Sequence, residues 1–395
     1  MTRPAHQEQA TTCGLLRAVS RTLGYEVAPE WRQAAAAAPR HAFLPDRVWL
    51  ADGDAYEPCD RESEPERWLA AAYADAPVVT QINDGQEPED AADRWPSCSA
   101  SAPSIVVTML DALELVPGTR VLEIGTGTGW TAALLAHRLG DANVTTIEVD
   151  PYLAARARAT LAAAGYAPTV VCGDGRSGGP PGESYDRVVA TCSLRRVPPA
   201  WIAQTRTGGM ILAPWDNPWV CGGLLTLTVL AEGSAVGRFT PDSAFMLMRT
   251  QRQDVRLFRD VVHEDHQPVP SVTTLDPWAV ADSCFETRFA LGHRLGDLWH
   301  VWDHDPGVDG VVTRLWVAGT DGRSWAAVDW DGTEDTDRYA VWQHGPRRLW
   351  EEVEVAHRWW LDADRPGPTR LGLTVTSDGR HRAWLDTPEN SWPLP

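Results

Sequence analysis

The residues best placed to do chemistry stand in one stretch, Val121-Leu122-Glu123-Ile124-Gly125-Thr126-Gly127-Thr128-Gly129-Trp130. An apolar run takes in an acid, and three glycines then follow at alternate positions. Glycines let a strand turn tightly into a helix and let a ligand touch the backbone. A phosphate-binding Walker loop needs Gly-Lys-Ser/Thr, and no Lys follows here. A dinucleotide fingerprint needs Gly-x-Gly-x-x-Gly, and its third glycine would fall on Trp130. What remains is Glu-x-Gly-x-Gly-x-Gly, a loop for some other ligand or a simple turn.

Other reactive groups lie downstream. Glu148 closes the apolar run Val144-Thr145-Thr146-Ile147. It lies roughly 20 residues past the glycines, where a carboxylate can take ribose hydroxyls. Asp174 opens the turn after Thr169-Val170-Val171-Cys172, within Gly173-Asp174-Gly175. Arg195 and Arg196 follow the run Tyr185 to Thr191 and are the nearest cations for an acidic substrate, or else an exposed loop pair. His41 reads as a packing or surface histidine beside Phe43.

The elements that must carry these groups alternate. Strands at 121–124, 144–148, 169–172 and 184–191 are separated by helical patterns at 131–139 and 151–164. That alternation predicts a parallel sheet with ligand at the strand C-termini. Upstream, residues 6–38 read as one helix, and the acidic stretch 52–66 as a solvated loop. Pro103 suits the first turn of a helix over 104–113.

Composition narrows the partners. The formal net charge of −19 argues against nucleic acid, whose phosphates need clustered Lys and Arg. Seven dispersed Cys show no metal-ligand or redox spacing, so no metal is expected, and a reducing cytoplasm fits them. Cys172 and Cys192, beside apolar strands, read as buried small hydrophobes. No apolar run approaches a membrane span and no N-terminal signal pattern is present, so no membrane association is expected.

The glycine stretch resembles motif I of Rossmann-like methyltransferases that use S-adenosylmethionine. Residues from about Trp31 to Trp215 then resemble the protein-L-isoaspartate O-methyltransferase family. The resemblance is carried by Pro39-Arg40-His41 with Phe43 and Pro45, Ala72-Tyr73 to Pro77, Ser101-Ala102-Pro103, the glycine loop, Ile147-Glu148, Gly173-Asp174-Gly175-Arg176, Tyr185-Asp186-Arg187 and Gly208-Gly209. It implies that Glu123, Gly125, Thr126, Gly127 and Gly129 surround the methionine moiety of the cofactor. Glu148 would hold the ribose, and Asp174 and Gly175 would contact the adenine. Ser101 falls on the family's active-site serine, with Ser99 beside it. Read from the residues alone, Ser101 is equally a helix cap. Two features depart from the family: Ser99-Ala100-Ser101 stands where Thr-Ile-Ser is usual, and an acidic insert, Asn83 to Trp95, precedes it.

The chain divides, on this reading, into an isoaspartyl-methyltransferase-like domain over 1–238 and a C-terminal α+β domain over 239–395. The first would consist of a helical segment spanning 1–95 and a Rossmann-like core spanning 96–238. The second holds most of the tryptophans, Asp-Gly turns at 321, 331 and 378, and one helix over 347–363. It lies outside the resemblance to the compact repair enzyme, and its tryptophans read chiefly as core. An extended methyltransferase of this kind resembles the homologues found in actinobacterial ribosomal-peptide clusters. Those esterify a chosen Asp of a lanthipeptide or graspetide, giving an aspartimide or isoAsp. The expected partner is therefore a peptide or protein bearing Asp or isoAsp, with a macrocyclic ribosomal peptide as the leading substrate. General isoaspartyl repair is the alternative, and a non-catalytic peptide-binding homologue the alternative of another class.

Overall fold

The computed structural model describes residues 11–53, 55–86, 88, 90–241, 244–333 and 336–395. The chain forms two compact units. One comprises Met1–Cys192 and Pro198–Ala213, the other Ser193–Val197 and Pro214–Pro395. The expected boundary at residue 238 therefore falls inside the second unit.

The first unit begins with α1 (Thr12–Leu23) and α2 (Pro29–Ala37). The single helix expected over 6–38 is broken where Gly24 adopts φ 75°, ending α1, and Pro29 opens α2. Its first residues, 6–10, lie outside the described residues. The loop expected over 52–66 is instead largely structured. Strands β1 (Arg47–Asp52) and β2 (Ala55–Asp60) form an antiparallel hairpin, followed by α3 (Pro65–Ala72). Each strand buries a single residue, Val48 and Cys59, which face each other across the hairpin, so no alternation marks it in the sequence. Next come β3 (Val78–Ile82), β4 (Pro96–Ala100) and α4 (Pro103–Ala112). Strands β3 and β4 pair across the acidic insert, in a sheet of order β2-β1-β3-β4.

The parallel sheet is built from β5 (Val121–Ile124), α5 (Trp130–Leu139), β6 (Val144–Glu148), α6 (Pro151–Ala163), β7 (Thr169–Cys172), β8 (Tyr185–Ala190), α7 (Pro199–Gln204) and β9 (Thr205–Asp216). The strand order is β9-β8-β5-β6-β7, all neighbours parallel. The order reverses between β5 and β8, and such a switch point opens a crevice at the strand C-termini. All four residues of β5 are buried, as a central strand covered on both faces requires.

In the second unit β10 (Cys221–Val229), β11 (Ala235–Thr240), β17 (Leu371–Val375), β18 (His381–Leu385) and β19 (Ser391–Pro393) pair antiparallel in succession. A separate sheet has the order β12 (Val269–Thr273), β16 (Tyr339–His344), β15 (Trp325–Trp330), β14 (Thr313–Gly319), β13 (Leu298–Asp303). One face of it packs Leu315, Val317, Val328 and Val341 against Leu291 and Leu295 of α9 (Phe285–Leu295) and Trp350 and Val353 of α10 (Leu349–Asp362). Helix α9 was not expected; its Phe, Ala and Leu positions are interrupted by Gly292 and His293. The Asp-Gly turns are present, with Gly322, Gly332 and Gly379 all at positive φ. Tryptophans 219, 316, 325, 350 and 384 are buried, so they serve the core.

Candidate active site

The glycine loop leaves β5 as its N–H groups bond back to the sheet. Gly125 and Thr126 donate to the Ile147 carbonyl at 2.8 and 3.1 Å. Gly125, Gly127 and Gly129 have φ of 100°, 52° and 86°, a backbone that side chains resist. A Cβ on Gly125 would lie 2.7 Å from Thr191 Oγ1. Gly129 caps α5 with no side-chain hydrogen bond, so first-turn N–H groups of the helix face outward as donors for an anion.

Two carboxylates flank this loop. Glu123 is fully buried, and its Oε2 accepts from the Thr146 hydroxyl at 2.6 Å. The Thr126 hydroxyl lies 2.6 Å from that same oxygen of Thr146, which completes a chain from Glu123 into the loop. Oε1 of Glu123 has no hydrogen-bond partner among the described residues. Burial, aided by nearby Glu148, raises its pKa to about 8 against the opposing Thr146 bond. Glu148 ends β6 and accepts from Gly127 N–H at 2.9 Å and Asp150 N–H at 3.0 Å. A carboxylate offers about four acceptor positions, so it can serve the loop and a diol together.

Glu148 is itself held through Asp150. That side chain caps α6 through the N–H groups of Tyr152 and Leu153 and accepts from Gln81 Nε2 at 2.9 Å. Gln81 accepts from the Ser97 hydroxyl, which accepts from Asp84 N–H at the start of the insert. The two ends of the insert are tied together: Asn83 bonds both backbone groups of Trp95, and Arg94 reaches the Tyr56 carbonyl.

Asp174 stands after β7 and pairs with Arg176 at 2.8 Å. Gly175 packs so closely on β5 that a Cβ there would lie 2.5 Å from Ile124 Cγ2. Its carbonyl accepts from the Trp201 indole at 2.7 Å. The end of β4, at Cys98 and Ser99, approaches the glycine loop. A Cβ on Gly127 would lie 3.5 Å from Cys98 Sγ and 3.9 Å from the Ser99 carbonyl oxygen.

Ser101 does not cap α4. The N-cap is Ala102, and the Ser104 N–H is satisfied by Asp75 Oδ1 at 2.8 Å. The Ser101 hydroxyl makes no hydrogen bond among the described residues, which leaves it available to a ligand. Arg40 holds this loop from behind: its buried guanidinium donates to the carbonyls of Ala72, Ala74, Ala76, Ala100 and Ser101.

The structure thus brings Ser99, Ser101, Glu123, the glycines, Glu148, Asp174 and Gly175 into one unit, around the strand C-termini. It does not add the two arginines to them. Arg195 and Arg196 belong to the second unit, because Ser193 and Leu194 bond to Met246 and Pro214. There Arg195 pairs with Asp216 at 2.9 Å, and Arg196 donates to the Pro395 backbone oxygen at 2.6 Å. Both are committed to internal partners, which counts against the substrate role expected for them. His41 contacts the Tyr73 hydroxyl, and its pKa is lowered by burial and by Arg61. Cys172 is exposed and Cys192 half-buried, contrary to expectation, since β7 is the edge strand of the parallel sheet.

Arg40, Asp75, Gln81 and Thr191 were not foreseen as site residues. Arg40 and Asp75 stood inside the motif blocks, yet nothing local marked their distant partners.

A glycine loop held at positive φ, an uncapped helix N-terminus and a carboxylate after the second parallel strand suit a molecule with an amino-acid end and a ribose. These features define an S-adenosylmethionine-dependent methyltransferase of Rossmann-like fold. The family model for protein-L-isoaspartate(D-aspartate) O-methyltransferase (PCMT) matches residues 51–220. A protein-L-isoaspartate O-methyltransferase of Ignicoccus hospitalis is 37% identical over 179 residues, covering 45% of this chain and 78% of that protein. One from Anaeromyxobacter dehalogenans is 41% identical over 177 residues, covering 44% and 76%. The chain belongs to the protein-L-isoaspartate O-methyltransferase family. A solved structure of a protein with that name covers 95% of this chain and 100% of its own, with TM-score 0.53 and 19% identity, so the fold is shared. That likeness in fold runs on into the second unit, whereas the family match ends at residue 220. Among the described residues no helix is long and apolar enough to cross a membrane.

Proposed function

We propose that the chain transfers a methyl group from S-adenosylmethionine to the carboxylate of an L-isoaspartyl residue in a protein or peptide. The observation that carries this reading is Ser101: Arg40 holds its carbonyl, and Asp75 takes the cap of α4, which spares its hydroxyl. Gly125, Thr126, Gly127, Gly129 and the start of α5 would hold the methionine moiety, with Glu123 behind them. Glu148 would hold the ribose, and Asp174 with Gly175 the adenine. When bound, the cofactor supplies an activated methyl for in-line displacement.

The acceptor is already an anion at pH 7, so no general base is needed. The chain's task is to orient that oxygen and to exclude water. A hydrogen bond from Ser101 orients the carboxylate without removing its nucleophilicity, and Ser99 lines the same strand. The methyl ester is a better electrophile than the carboxylate. The neighbouring backbone amide can attack it, expel methanol and close a succinimide, which water opens to Asp or isoAsp.

A second reading takes an Asp of a macrocyclic ribosomal peptide as acceptor. Its support is the insert 83–95, whose ends Asn83 and Trp95 are hydrogen-bonded to each other between β3 and β4, and the ending of the family match at residue 220. Two peptides that differ only in an aspartyl or isoaspartyl linkage separate the readings. Turnover of the short isoaspartyl peptide with none of the aspartyl one supports repair. Turnover of neither, with methylation of a macrocyclic Asp peptide, reverses the assignment. The seven cysteines, dispersed without metal-ligand or redox spacing, fit a cytoplasmic setting.

A further inference from the structure

Arg40 is 1% exposed and is charged at neutral pH. Its five hydrogen bonds all go to backbone carbonyls: Nη1 to Ala72 (3.2 Å) and Ala74 (3.0 Å), Nη2 to Ala76 (2.8 Å), Ala100 (3.1 Å) and Ser101 (3.0 Å). A buried cation is costly to desolvate unless it is closely paired. Among the described residues no carboxylate bonds to it, Asp75 acting on it only through space; the charge is dispersed over carbonyl dipoles of two segments 24 or more residues apart. The guanidinium also stands 5.8 Å from the centroid of Trp130, whose indole donates to the Ala38 carbonyl. Trp130 is the first residue of α5, directly after the glycine loop. Asp75, within the segment that Arg40 gathers, caps α4 three residues past Ser101. Ser101 is therefore gripped on one side by Arg40 through its own carbonyl and on the other by Asp75 through Ser104.

A lysine could not do this work. Arginine presents five donors in a rigid planar fork, whereas an ammonium is a single point with three. Burial lowers the Arg40 pKa to about 10, which leaves it protonated at pH 7.

We infer that Arg40 is a positioning residue for the methyl acceptor, fixing the backbone at Ser101 and so the direction of the hydroxyl against the glycine loop. This rests on the reading of Ser101 given above. Among the described residues all five hydrogen bonds of Arg40 serve the segments around Ala72–Ala76 and Ser101 and none goes to the glycine backbone or Glu148, so its main effect belongs to the acceptor end, with Trp130 its one neighbour on the cofactor side.

The test uses the full chain with Arg40→Lys, which keeps the charge and loses the fork, and Ser101→Ala. Calorimetry with S-adenosylhomocysteine measures cofactor-site affinity, and methylation of an isoaspartyl peptide gives kcat and KM. Arg40→Lys is expected to lower kcat about tenfold or more while the S-adenosylhomocysteine Kd stays within about twofold, as for a misplaced orienting group. Arg40→Lys with Ser101→Ala together should be no slower than Ser101→Ala alone. A parallel rise in Kd, or an unchanged kcat, overturns the inference while leaving the function standing if Ser101→Ala is impaired. If Ser101→Ala turns over like the parent chain, the reading of Ser101 fails, and this inference with it. Arg40→Met is the second variant; if Arg40→Lys does not fold, loss of kcat at constant Kd in Arg40→Met decides the matter.

Discussion

Replacing Glu123 by Gln should change how stability depends on pH. Glu123 is wholly buried, and burial first, with Glu148 adding to it, raises its pKa from 4.5 to about 8. The unfolded chain ionises this group above about 4.5, while the folded chain keeps it protonated until about 8. Over that window the folded state binds more protons, so stability falls as pH rises; below 4.5 its full contribution is present, and above 8 the loss is complete. At about 1.4 kcal/mol per pH unit the ceiling of this loss is roughly 5 kcal/mol, and relaxation of the site will keep it nearer 2–3 kcal/mol. Gln has nothing to ionise. Its carbonyl can accept from Thr146, but its NH2 takes the place of Oε1, which has no partner, at a pH-independent cost of about 1 kcal/mol. The variant should therefore melt below the parent at pH 5, and the gap should close or invert by pH 8. For a unit of about 200 residues the swing amounts to roughly 5 °C or more in Tm. Thermal melts of both chains at pH 5, 6, 7 and 8, without ligand, measure it. All other titrating groups cancel in the difference. Parallel curves would refute the claim that Glu123 is held protonated at neutral pH.

Other outcomes follow from the same geometry. Ser101→Ala should lose most methyl transfer yet bind S-adenosylhomocysteine as the parent does, measured by turnover and calorimetry. Gly175→Ala places a Cβ 2.5 Å from Ile124 Cγ2 and should cost about 1–3 kcal/mol in unfolding free energy by urea titration. Gln81→Met removes the donor to Asp150 and the acceptor for Ser97; a charge-assisted bond is worth about 1.5–3 kcal/mol, and S-adenosylhomocysteine affinity should fall several-fold as Glu148 loses its support. Asp75→Ala removes the distant cap of α4 and should lower stability by about 1 kcal/mol.

What could be read from the residues was what is written locally. The strand-glycine-helix signature located β5, the loop and α5 because each glycine is demanded by its own backbone angle. The places of Glu148 at the end of β6 and Asp174 just after β7 were legible because the strands of a parallel sheet recur at regular intervals. The failures are non-local. Arg195 and Arg196 follow β8 in sequence and so seemed to border the crevice, but Ser193 and Leu194 pair with Met246 and Pro214 and carry the two arginines into the second unit. Arg40 serves carbonyls 32 to 61 positions away, and no periodicity records that. Ser101 stood level between cap and ligand group until Asp75, 29 residues from Ser104, was seen to cap the helix instead. The hairpin at 47–60 was missed because it buries only Val48 and Cys59 and so shows no alternation, and the boundary at 238 because strand β11 finds its second partner in β17, far along the chain.

The central claim is that this site methylates a carboxylate. Incubating the chain with methyl-labelled S-adenosylmethionine and an isoaspartyl peptide, then treating the product with mild base, tests it most directly. A methyl ester releases its label as volatile methanol, and that release should be absent with the aspartyl peptide. Label that stays on the peptide through base, or no transfer at all, would contradict the account.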